Sequence, residues 1–123
     1  MLSEQQIVNT MQQIAADLPG FLAASLVDLD SGMTLGVYSK DASFDLNSAS
    51  AFNSEMVKQK LKIISVLGVE GTLEDMLLTL TEQIHLIRLI NPGTFLYLAA
   101  DRSMSNLAMV RNAVSAHAAA LSS

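Results

Sequence analysis

Cysteine is absent from the 123 residues. That excludes disulfides, thiol nucleophiles and cysteine-ligated zinc or iron–sulfur centres. Basic residues are few: 7 lysines and arginines face 12 aspartates and glutamates, a formal net charge of −5. Binding along a nucleic-acid backbone draws its affinity from cationic contacts, and no cluster here repairs the deficit. Lys58, Lys60 and Lys62 are close in sequence but spread around a helix, and only Lys58 and Lys62 share a face. Nucleic acid is not an expected partner. No run approaches the ~18 continuous apolar residues of a spanning helix. The N-terminal MLSEQQIVNT also lacks the positive start and apolar core of a secretion signal. Membrane insertion is therefore not expected, and the expected location is the cytoplasm.

Catalytic signatures are missing as well. There is no G-x-S-x-G elbow, no G-x-x-x-x-G-K-[ST] loop and no G-x-G-x-x-G turn. His85 and His117 are the only histidines; they lie on separate elements without metal-ligand spacing. Glu74-Asp75 and Asp28/Asp30 read as solvated acids, because adjacent strand residues point oppositely and the second pair flanks a turn. No reaction and no cofactor is expected.

What is present is apolar residue, half of the chain. One domain over residues 1–123 is the expectation, and disorder is not. Ser3 to Leu18 reads as a helix with Ser3 as cap and Gln6 as its capping-box partner, presenting Ile7, Met11, Ile14, Ala15 and Leu18 on one stripe. Pro19-Gly20 ends it. Phe21 to Leu29 alternates Phe21, Ala23, Ser25 and Val27 against Leu22, Ala24 and Leu26, a strand greasy on both faces. Asp30-Ser31-Gly32 turns the chain into a second strand, Met33 to Tyr38. The small residues Ala23, Ala24, Ser25 and Gly36 would let helices approach this hairpin closely.

A polar link, Ser39 to Leu46, leads to the longest element, Asn47 to Leu67, with Asn47 or Ser48 as cap and Gly68 as stop. Its apolar residues, Ala49, Phe52, Met56, Val57, Leu61, Ile63, Ile64 and Leu67, cover more of the helix than one sheet needs. Leu73–Thr81, Ile84–Asn91 and Thr94–Ala100 read as three strands whose short links favour an antiparallel meander. A last helix from Ser103 or Ser105 to Leu121 presents Leu107, Val110, Arg111, Val114, Ala118 and Leu121. The order α-β-β-α-β-β-β-α predicts a three-layer α/β/α sandwich around a five-stranded antiparallel sheet.

Two segments carry a resemblance. GFLAASLVDLDSGMTLG, Gly20 to Gly36, has a small-residue strand, an aspartate and a D-x-G turn; DRSMSNLAMVRNAV, Asp101 to Val114, has an acidic-basic pair and an N-L-A-x-x-R helix start. With the element order, these make the chain resemble the Roadblock/LC7 family, which includes dynein light chains and bacterial partners of small Ras-like GTPases. The resemblance spans about Ile7 to His117 and implies the long helix on one sheet face and the terminal helices on the other. It further implies homodimerisation through the long helix and the following strand. The corresponding interface residues are Ala49, Phe52, Met56, Lys60, Ile63, Leu67, Leu73, Asp75, Leu77 and Thr79. A noncatalytic platform that regulates or localises a small Ras-like GTPase is the implied function. Arg102 and Phe44 are candidate partner contacts, Arg102 as the most accessible of three candidate arginines with Arg88 and Arg111. Phe44, Phe52 and Tyr38 are expected to cluster at the entrance to the long helix. The alternatives are a small-molecule sensor of PAS-like or profilin-like topology, which needs an internal cavity, and a structural scaffold subunit.

Overall fold

The computed structural model describes residues 2–122. Helix α1, Glu4–Asp17, begins as its sequence dictates: Ser3 Oγ accepts from Gln6 N while Gln6 Oε1 accepts from Ser3 N, closing both sides of the capping box. Its stripe Ile7, Met11, Ile14, Ala15 and Leu18 is buried without exception. Gly20 then takes φ 82°, and a Cβ there would meet the carbonyl oxygen of Asp101 and the Cβ of Met104 at 2.9 Å. Only glycine satisfies both the turn and the close approach.

Strands β1 (Phe21–Asp28), β2 (Thr34–Ser39), β3 (Asp75–Thr79), β4 (Gln83–Asn91) and β5 (Thr94–Asp101) form one antiparallel sheet in the order β2-β1-β5-β4-β3. Helices α1 and α3 (Leu107–His117) bury one face against Ala24, Leu26, Ile84, Leu86, Leu96, Leu98 and Ala100. Helix α2 (Leu46–Leu67) covers the other, against Ala23, Val27, Ile87, Phe95, Tyr97 and Ala99. The expected sandwich is therefore the observed one. Each large apolar side chain fully withdrawn from water in these two layers stabilises the fold by about 1.5–3 kcal/mol.

Several local expectations are corrected. Phe21 does not share a face with Ala23. The β1–β5 register shifts between Phe21 and Ala23, and this bulge at Leu22 turns Phe21 toward α1 with Ala24 and Leu26. The cap of α2 is Asp45, not Asn47 or Ser48: its carboxylate accepts from the backbone N–H and hydroxyl of Ser48, which hold it below its ordinary pKa. Gly68 stops α2 in the left-handed region at φ 66°, as expected. Strand β3 is shorter than Leu73–Thr81 and none of its residues is fully buried, so its two faces are only partly covered. The last helix begins after an Asn106 cap and closes in a 3-10 turn, Ala118–Leu121. Val110, Ala113, Val114 and Leu121 are buried, whereas Leu107 is 42% exposed and Arg111 turns away from the apolar core.

Candidate functional site

Helix α2 touches the sheet through an unusual row. Its buried residues are Leu46, Ser50, Ser54 and Val57, so two of the four are serines. Ser50 Oγ lies 2.8 Å from Ser25 Oγ on β1, and a Cβ on Gly32 would stand 3.3 Å from the Cα of Ala51. Small side chains let the helix settle onto β1, which leaves its larger apolar residues on the flank. After Val57 no residue of α2 is buried. Phe52 is 77% exposed, Leu67 69% and Ile63 38%. Together with the half-buried Ala49 and Met56 they repeat at the three- and four-residue spacing of a helix-pairing seam. Lys60 is exposed beside them.

The sheet ends in an open strand edge on the side away from β2. Strand β3 pairs only with β4, so its outer backbone groups have no sheet partner among the described residues. The register divides its side chains. Met76, opposite Ile87, packs on the α2 face. Leu77 packs on the α1/α3 face, and Asp75 and Thr79 alternate onto the same side. The ten suspected interface residues are therefore divided between α2, the approach to β3 and the α1/α3 side of β3. Ala49, Phe52, Met56, Lys60, Ile63 and Leu67 lie on α2, while Asp75, Leu77 and Thr79 lie on the far side of the sheet. Leu73 precedes the strand.

Asp75 is not a solvated acid. Its side chain is 14% exposed and takes ion pairs from Arg88, at 3.2 Å, and Arg111, at 3.0 Å. Two of the three candidate arginines are thus held within the chain. Arg102 is exposed, and its Nη1 donates to the carbonyl of Leu80 at 3.0 Å. His117 meets Asp17 at 2.6 Å, clasping the ends of α3 and α1.

The aromatic cluster expected at the start of α2 does not form. Tyr38 stacks on Phe21 at 5.8 Å on the α1 side, and Phe52 points to solvent. Phe44 is partly buried on the α2 side, 6.2 Å from His85 and 6.4 Å from Tyr97. The polar centre of this cluster has no signature in the sequence. His85 Nε2 lies 2.8 Å from Gln83 Oε1, and Nδ1 lies 3.1 Å from Tyr97 Oη. A neutral ring with its proton on Nε2 satisfies both partners, donating to Gln83 and accepting from Tyr97. Burial pushes the His85 pKa down and the Tyr97 pKa up to about 12. The alternation of β4 alone puts His85 on this face; its partners follow only from the β4–β5 register.

A concavity of about 860 Å³ lies at the end of the sheet, between Leu73, Asp75, Arg88, Ile90, Pro92 and Arg111. It is an open groove, not the enclosed chamber of a small-molecule sensor. Among the described residues no three histidine, aspartate or glutamate side chains converge as metal ligands would.

No family model matches the sequence, and no curated protein matches it; the likeness is to solved structures. A structure of MglB with a tetrameric arrangement superposes with a TM-score of 0.85 at 16% identity, covering 97% of this chain and 87% of that one. The gliding protein MglB from Thermus thermophilus gives 0.83 at 15% identity over the same shares, 97% and 87%. A Roadblock/LC7 domain from Streptomyces avermitilis gives 0.78 at 17% identity, covering 90% of each chain. These superpositions take in nine-tenths or more of the chain at TM-scores of 0.78 to 0.85: the chain has the Roadblock/LC7 fold.

Proposed function

We propose that this chain is a noncatalytic, homodimeric interaction module that binds a small Ras-like GTPase and regulates or localises it. The observation that carries the reading is the flank of α2, where Phe52, Ile63 and Leu67 stand exposed in register with Ala49 and Met56, in a chain whose β3 edge has no sheet partner among the described residues. Contiguous apolar surface of this kind marks an interaction site, and an isologous pairing covers a helix seam and a strand edge together. On that reading a second copy lies along α2 and extends the sheet at β3, and the GTPase meets the paired molecule. The GTPase itself is what the family resemblance implies, and the shared fold with MglB supports it.

Sedimentation tests the first part: a single-chain mass of 13.2 kDa at high micromolar concentration overturns the dimer. For the second part, Ras-like GTPases encoded beside this chain are titrated with the purified protein while nucleotide exchange and hydrolysis are followed. Failure of each to bind overturns the partner assignment. Arg102→Ala then separates a guanidinium contributed to hydrolysis, which the substitution abolishes, from simple docking, which survives it.

A further inference from the structure

Helix α2 does not cover the sheet from edge to edge. On β5 it leaves Tyr97 2% and Ala99 0% exposed. On β4 the residue opposite Ala99 is His85, and opposite His85 on the edge strand β3 is Leu78; both are only half-buried. Met76, two residues from Leu78 and on the same face, packs in one cluster with Phe44 and with Ala49 and Met56 of α2. The His85 ring therefore stands between the part of the sheet that α2 covers and the edge of β3.

No anion answers a proton on this ring. Its hydrogen-bond partners are Gln83 and Tyr97, both neutral, and Phe44 closes one side at 6.2 Å. Strand β3 contributes Leu78 and Met76, since Asp75 lies on the opposite face with Arg88 and Arg111. Asp45, the cap of α2, is held by Ser48, and the helix from Leu46 to Ser54 carries no charged residue. Further along, Glu55 and Lys58 pair with each other, and Lys60 and Lys62 are exposed. Asp41, Glu82, Asp101 and Arg102 line a groove with Gln83 at the end of the sheet. There Asp41 and Asp101 accept from the N–H and hydroxyl groups of Ser43 and Ser103, while Glu82 and Arg102 are exposed. Burial is the cause that moves the His85 pKa, and it moves it down.

We propose that the pairing of two copies is gated by pH, with His85 as the sensor. The inference rests on the pairing proposed above and supplies its regulation. A second copy laid along α2 and joined at β3 passes over the strip that holds the ring. It removes the water that would solvate an imidazolium and supplies no anion in exchange, and a charge left in that state is costly. The pair therefore forms with His85 neutral and loosens once the ring is protonated. Pairing lowers the His85 pKa further, so association is complete above the histidine range and is lost as pH falls through it. Both copies carry the ring, and opening a pair takes up as many as two protons.

The test is sedimentation equilibrium of the full chain at about pH 7.5 and about pH 5, with circular dichroism to establish that the chain is folded at each. The dissociation constant of the pair rises by about tenfold or more at the lower pH. His85→Asn removes that rise, and His117→Asn, on α3 beyond the other face of the sheet, leaves it. Magnetic resonance of the imidazoles gives a readout that needs no stable His85 variant: the His85 pKa is lower in a concentrated solution of the chain than in a dilute one. A pair of constant affinity, a rise that persists in His85→Asn, or a His85 pKa independent of concentration overturns the sensor and leaves the pairing standing. A single-chain mass at both pH values overturns the pairing and the sensor with it.

Discussion

The hydroxyl oxygens of Ser25 and Ser50 lie 2.8 Å apart and fully buried, joining the middle of β1 to the underside of α2. Ser54, one turn further along, is equally buried but its Oγ has no partner. The two serines should respond differently to the same change. Ser50→Ala strands the Ser25 hydroxyl and lowers unfolding stability by about 1–3 kcal/mol. Ser54→Ala removes an unsatisfied group and is neutral or stabilising. The double change Ser25→Ala/Ser50→Ala costs less than the sum of its parts, because no orphan remains. Urea unfolding of the variants beside the parent chain checks all three statements.

Gly36 sets the spacing between β2 and α1. A Cβ there would fall 2.6 Å from Cγ2 and 3.1 Å from Cβ of Ile7, and Ile7 is buried. Gly36→Ala therefore destabilises by about 1–3 kcal/mol through overpacking. Ile7→Ala, itself costly, should recover part of that loss in the double variant, since it vacates the clashing atoms. A double-mutant cycle with strictly additive losses would contradict the packing.

The α2 flank offers a cleaner separation of association from stability. Phe52→Glu with Leu67→Glu places charges at positions 77% and 69% exposed in the single chain. On the proposed pairing, sedimentation should change from twice the chain mass to 13.2 kDa, while helical circular dichroism at low temperature is retained. An unchanged sedimentation coefficient would place the seam elsewhere.

Acidification should weaken the fold in two stages. Burial lowers the folded-state pKa of His85, so the unfolded chain binds the extra proton more readily. Stability is complete above the unfolded value of about 6.5 and declines as pH falls through the folded value. Protonation would also turn Nδ1 into a donor against Tyr97, which must then accept instead of donate. Asp45 follows at lower pH. The Ser48 hydroxyl and N–H depress its pKa, so its contribution is present above the ordinary carboxylate value and is lost as pH falls through the depressed one. His85→Asn should flatten the first stage, and Asp45→Ala should reduce the second, which Asp28, Asp41 and Asp101 share through their own serine hydrogen bonds, in melting temperature against pH.

Much of this architecture is legible from side-chain order. Helix α1 can be read to its cap because Ser3, Gln6 and an unbroken stripe encode one answer at every level. The faces of β4 and β5 follow from alternation alone. What escapes such reading has no apolar signature. Ser50 and Ser54 look polar in a helix whose greasy residues draw attention, yet their small size is what admits them beneath it. The bulge at Leu22 is a backbone event that reverses Phe21 without altering its neighbours' chemistry. Asp75, Arg88 and Arg111 come from three distant segments, and only the β3–β4 register together with the placement of α3 brings them together. The flank of α2 is visible in the sequence as surplus apolar surface, but which residues form it depends on those hidden serines.

The sheet order has a consequence for how the chain is made. Strand β1 lies between β2 and β5, so the first hairpin must wait, with one side unmatched, until residues up to Asp101 have emerged from the ribosome. The intermediate is rich in β-branched and leucine side chains, and such unmatched strands are prone to misassembly. A premature stop anywhere before β5 would therefore release an insoluble fragment rather than a smaller working protein, and nascent chains arrested at that stage should recruit holding chaperones until the fifth strand arrives.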